Sequence, residues 1–150
     1  MIKLSDYIVS FFEKENVRDV FMLSGGGCMH LIDSFGKSQK MKYWCMHHEQ
    51  SISMAVDAYG RMKNDLGVAV VTCGPGATNT ITGLLGAYQD SSPCVFLSGQ
   101  AKRKQTVYNS GLKGMRQIGQ QEVNIIPIVQ SITKYAVMIN EPKEIRYHLE

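Results

Sequence analysis

The chain has 150 residues, 44% of them hydrophobic and 19% charged, which suits one globular domain with room for a sizeable core. Its 16 basic and 13 acidic residues leave a formal charge of +3, and only AKRKQ (residues 101–105) concentrates the basic ones; without interleaved aromatics or a surrounding nucleic-acid motif, that cluster reads as a solvated loop, so no nucleic-acid partner is expected. The N-terminal MIKLSDYIVSFFEKEN carries Asp6 and lacks a long apolar core, so it reads as neither signal peptide nor membrane span.

Cys28, Cys45, Cys73 and Cys94 are widely spaced, none lies in a C-x-x-C pair, and each sits in or beside an apolar run. They read as reduced core thiols, and a cytoplasmic protein with no membrane partner is expected.

In chain order, Leu4, Ile8, Phe11 and Phe12 recur at helical spacing, with Asn16 suited to ending the helix, and VFML (20–23) follows as a short buried strand. SGGG leads into a short helix around 31–35, YWCM (43–46) is the next strand, and residues 51–62 are helical in composition. The clearest strand is VAVVT (68–72), apolar and rich in β-branched residues; CGPGATNT and a helix to about residue 88 follow, and CVFLS (94–98) is the fourth strand. Strands apolar on both faces and separated by helix-length segments predict an α/β fold, a parallel β-sheet flanked by helices on both faces.

Residues 99–121 turn polar and irregular, a long stretch of the kind that carries function in a compact domain. A helix near 122–130, a strand YAVMI (135–139) and a helix opening at NEPKEI complete the pattern. This last helix has Asn140 as its cap and Pro142 early, yet the sequence stops about two turns later with no stop signal, so the 150 residues are expected to be a piece of a longer protein.

The unusual residues fall after the strands: SGGG (24–27), HHEQ (47–50), CGPGATN (73–79) and SGQ (98–100). In a parallel sheet the carboxyl ends share one edge, where open α/β folds bind ligands. Glycines that let a ligand approach the backbone would there stand beside a carboxylate, Glu49, at a helix start.

Taken singly, each cluster also has a structural reading. SGGGCMH has His30 where G-x-G-x-x-G needs its third glycine. GPGATN lacks the lysine of a phosphate loop and serves equally as a strand-to-helix turn. HHEQS puts Ile52 where H-E-x-x-H needs its second histidine, which removes zinc hydrolysis; His47 and His48 read as structural, and a single glutamate at a helix start as a dipole-stabilised cap.

Together, the order and spacing of VFMLSGGG, HHEQSISMAVDAYGR, VAVVTCGPGATNTITGLLGAYQDSSPCVFLSGQ and QEVNIIPIVQSITKY closely resemble the N-terminal, pyrimidine-binding domain of thiamine-diphosphate enzymes of the acetolactate synthase type. The similarity covers nearly the whole chain, and residues 74–100 are its most specific part. It implies that 1–150 form one such domain and that Glu49 is the catalytic residue, hydrogen-bonded to N1′ of the cofactor's aminopyrimidine. The protein would then decarboxylate a 2-keto acid and transfer the carbanion to an acceptor.

By the same resemblance Gly25 and Gly26 let the backbone pass near the reacting centre, Pro75 and Asn79 border the pyrimidine pocket, and Gln120 and Gln121 face the substrate. His48 either shapes the pocket or merely fills it. The resemblance also implies Mg²⁺ on a second, diphosphate-binding domain outside these residues, FAD, where a member carries it, on a middle domain, and a homodimer or higher homo-oligomer. This chain alone is expected to be inactive.

Two departures qualify the match: Ser24 replaces a proline in the family's VPGG, and Gln120 replaces the phenylalanine of FQE. An amide in place of an aromatic wall changes which acceptor packs there, so the alternatives are a thiamine-diphosphate-dependent decarboxylase or carboligase with a more polar acceptor, or a non-catalytic isolated domain.

Overall fold

The computed structural model describes residues 2–150. Helix α1 (Leu4–Lys14) buries Ile8, Val9 and Phe12 along one stripe, and it ends as expected near Asn16, whose φ of 60° turns the chain in the left-handed region that asparagine tolerates. Strand β1 (Asp19–Met22) follows, and a 3₁₀ turn, Gly26–Cys28, opens α2 (Met29–Lys37). Next come β2 (Lys42–Cys45), α3 (Glu49–Lys63), β3 (Gly67–Val71), the single turn α4 (Pro75–Thr78), α5 (Ile81–Gln89) and β4 (Cys94–Ser98). The remainder holds short helices only: α6 (Val107–Ser110), α7 (Ile126–Val129) and α8 (Ile145–Leu149).

The four strands are all parallel, in the order β2-β1-β3-β4. Val20 pairs with Val68 and Met22 with Val70, so side chains of matching parity share a face. Val20, Met22, Val68 and Val70 pack with Ile8, Val9, Phe12 and Phe35 on one side. On the other, Ala69 and Val71 pack with Ile52, Val56 and Ala77. Every residue of β3 is buried, because helices cover the sheet on both faces as its continuous apolar run requires. The expected α/β class is present.

Four expectations are corrected. Residues 135–139 adopt no regular secondary structure and join no strand ladder; β-branched and aromatic composition favours an extended backbone without naming a partner, and Tyr135 is held instead by a 2.6 Å hydrogen bond between its hydroxyl and His148 Nδ1. The helix expected at 122–130 is only Ile126–Val129 with a 3₁₀ turn, Gln130–Ile132, since the Asn124 side chain accepts from Ile126 N–H at 3.2 Å and starts the helix late. Asn140 does not cap the last helix; its amide donates back to the Met138 carbonyl at 3.4 Å, a 3₁₀ turn, Pro142–Glu144, follows with Glu141 at its cap position, and Glu144 stands at that of α8.

Finally, Cys45 is not a core thiol. It lies on β2, whose four residues are all exposed because the strand forms the sheet edge. Cys28 and Cys73 are buried, Cys94 is half-buried, and all four thiols are free. Among the described residues no helix is long and apolar enough to cross a membrane.

Candidate functional site

Parallel pairing brings the carboxyl ends of the strands to one edge, and α3 starts there directly after β2. His48 is the N-cap of α3, its backbone extended and its Nδ1 accepting from Gln50 N–H at 3.1 Å. That bond satisfies one of the free amides of the helix start. It leaves Glu49 as the first helical residue, 8% exposed.

The two oxygens of Glu49 have different neighbours. Oε2 accepts from the Asn79 side-chain amide at 3.0 Å. Oε1 faces Gly76, where a Cβ would stand 2.9 Å from that oxygen, so the missing side chain keeps one face of the carboxylate against bare backbone. Gly74 makes the turn possible: its φ is +61°, and a Cβ there would collide with the Gln121 carbonyl oxygen. This contact brings residue 121 to the turn after β3.

The turn after β1 joins the same edge through Thr72. Gly27 N–H donates to Thr72 Oγ1 at 3.1 Å, and a Cβ on Gly25 would stand 2.5 Å from Thr72 Cβ. Gly26 faces open space. Burial pushes the Cys28 thiol above its usual pKa, partly offset by bonds to the Gly25 carbonyl and the Thr72 hydroxyl.

Of the residues expected from sequence, Glu49 and Asn79 are therefore in direct contact, and Gly25 and Gly26 lie on the adjoining turn. Pro75, exposed, begins α4 beside them. Gln121 is exposed with its backbone against Gly74, and Gln120 is exposed one residue earlier. His48 acts as a cap.

Thr72 and Gly76 belong to this edge in addition to the residues expected from sequence. Thr72 ends the most apolar run of the chain with a hydroxyl, a signal that β-strand composition alone also explains. Glu122 accepts from Val107 N–H at 2.8 Å and so anchors the start of α6 rather than facing the edge. Two concavities of the described surface lie away from this edge, one beside Tyr7 and Arg146 and one beside Tyr108 and Met138. Among the described residues no three His, Cys, Asp or Glu side chains converge as metal ligands.

Fold and site define a class: a parallel α/β domain that presents a buried carboxylate over glycine turns at the carboxyl edge of its sheet, the edge where open α/β folds bind ligands. The family model for the thiamine pyrophosphate enzyme, N-terminal TPP binding domain, matches residues 2–128. The chain is 32% identical over 141 residues to the acetolactate synthase large subunit of Cyanidium caldarium, covering 92% of this chain and 23% of that protein. It is 33% identical over 144 residues to a probable acetolactate synthase large subunit of Methanocaldococcus jannaschii, covering 96% and 23% respectively. Acetolactate synthase 2 of Zea mays, a chloroplastic protein, is 34% identical over 146 residues, covering 95% of this chain and 21% of that protein. The chain belongs to the thiamine pyrophosphate enzymes and corresponds to their N-terminal TPP-binding domain. It spans roughly a fifth of the length of these curated relatives, between 21% and 23%.

Proposed function

We propose that this chain is the pyrimidine-binding part of a thiamine-diphosphate-dependent carboligase that acts on a 2-keto acid, with Glu49 as the partner of the aminopyrimidine N1′. The observation that carries the reading is the Glu49 carboxylate, buried at the start of α3 with Oε2 fixed by Asn79 and Oε1 turned to the backbone of Gly76. A planar heteroaromatic ring fits such a place, because glycine turns without Cβ atoms line it and one carboxylate oxygen has an orientation already set. When bound, thiamine diphosphate supplies a thiazolium carbon that attacks the keto group and an electron sink for decarboxylation.

The chain's own residues then do three things. Glu49 holds or moves one proton at N1′. Asn79 keeps the carboxylate from rotating. Gly25 and Gly26 let the backbone run close to the ring, with Pro75 at the border of the pocket. Gln120 and Gln121 take the substrate side; the exposed amide of Gln120 favours, as a second reading, an acceptor more polar than that of an acetolactate synthase. Mg²⁺ and, if the protein carries it, FAD belong to parts of the protein beyond these residues, and the functional unit is a homodimer or larger.

The test is Glu49→Gln in the protein that carries this chain. It is expected to slow exchange of the cofactor C2 proton by about a hundredfold or more, the scale of a general acid–base group, read by quenched-flow NMR. A rate equal to wild type would remove Glu49 from the mechanism.

A further inference from the structure

Thr72 follows the last residue of β3 and touches three of the strand-end turns. Its Oγ1 accepts from Gly27 N–H at 3.1 Å, in the turn after β1. Its Cγ2 methyl lies 2.6 Å from where a Cβ on Gly76 would be, and that same position is 2.9 Å from Glu49 Oε1. Its carbonyl accepts from Ser98 Oγ at 3.2 Å, at the end of β4. A β-branched side chain has few χ1 choices, so fixing the hydroxyl also fixes the methyl. One side of Thr72 therefore holds the glycine turn while the other supports the turn over Glu49.

We propose that Thr72 is a positioning residue that sets the separation between the glycine turn at residues 24–27 and the Glu49 carboxylate, and with it the width of the slot that receives the aminopyrimidine. The inference rests on the role given to Glu49 above. Thr72 makes no hydrogen bond to Glu49 and acts through backbone: through Gly27 on one wall and Gly76 on the other. Its two functional groups can be removed separately. Valine keeps the branched shape and loses the acceptor for Gly27 N–H, whereas serine keeps the acceptor and loses the methyl against Gly76.

Two readouts test this in the protein that carries the chain. Without cofactor, Thr72→Val is expected to speed hydrogen exchange at Gly27 N–H by about tenfold or more, and Thr72→Ser to leave it near wild type. With cofactor, both variants are expected to slow C2 proton exchange by about tenfold, because either change lets one wall of the slot shift. Wild-type protection of Gly27 together with wild-type C2 exchange in Thr72→Val overturns the proposal. If that variant does not fold, Thr72→Ser decides, and a wild-type C2 rate in it is the contrary result. Glu49→Gln measured alongside separates the two claims. If it slows exchange while the Thr72 variants do not, only the Thr72 proposal falls; if it leaves the rate unchanged, the Glu49 reading falls and takes the proposal with it.

Discussion

The proposed role of Glu49 depends on the inequality of its two oxygens. A carboxylate free to rotate would offer either oxygen at any angle; here Asn79 holds Oε2 at 3.0 Å and leaves Oε1 against Gly76. A hydrogen bond to a charged group contributes about 1.5–3 kcal/mol, and Asn79 is itself exposed, which argues for the lower end of that range. Asn79→Ala is therefore expected to slow cofactor C2 exchange about tenfold without abolishing it. Asn79→Asp, which brings a second carboxylate to the same spot, should be the more damaging change. Equal rates in wild type and both variants would mean that the bond does not constrain the carboxylate during turnover.

At the scale of elements, the start of α3 matters most, since the cap that begins this helix also sets Glu49 in place. His48→Ala removes the acceptor for Gln50 N–H and is expected to cost about 1 kcal/mol in urea denaturation, with His48→Asn recovering most of it. Identical midpoints for His48→Ala and wild type would show that solvent satisfies that amide equally well. Much of this level was legible in the sequence. The unbroken apolar run of β3 announced a strand covered on both faces, and the four clusters after the strands announced the shared edge. The helix expected from residue 51 starts two residues earlier, at Glu49, because a histidine cap carries no strong compositional signal. Residues 135–139 and 122–130 misled for a different reason. Propensity describes what a segment tolerates, whereas pairing partners and side-chain competitors such as Asn124 are settled only when the chain folds. Thr72 differs again: its hydroxyl is visible at the end of an apolar run, but the role proposed for it lies in distances between turns far apart in sequence.

For the molecule as a whole, the central sheet organises the core, with Phe12, Val20, Val68 and Val70 fully buried on one face and Ile52, Val56 and Ala69 on the other. Besides the Cys28 thiol, two further acidic protons are held more tightly around it than in the unfolded chain. Burial, aided by the nearby Asp57 charge, pushes the Cys94 thiol from 9.0 to about 11. Burial and the Asp19 hydrogen bond push the Tyr59 hydroxyl from 10.0 to about 12. The folded state thus binds these protons more strongly than the unfolded chain does, so their contribution is complete below the unfolded values and is lost as pH rises through the folded ones. Urea midpoints are expected to change little on this account up to about pH 9 and to fall between about pH 9 and 12; midpoints that rise over that window would contradict the assignment.

The central claim is a contact between one carboxylate and one ring nitrogen, and a double-mutant cycle measures it directly. Thiamine diphosphate and an analogue with carbon in place of N1′ would each be titrated calorimetrically into wild type and Glu49→Gln of the protein that carries this chain. A real contact predicts a coupling of about 1.5–3 kcal/mol, the worth of a charge-assisted hydrogen bond, with the analogue nearly blind to the substitution. Strictly additive losses, with both ligands weakened alike by Glu49→Gln, would mean that Glu49 does not meet N1′.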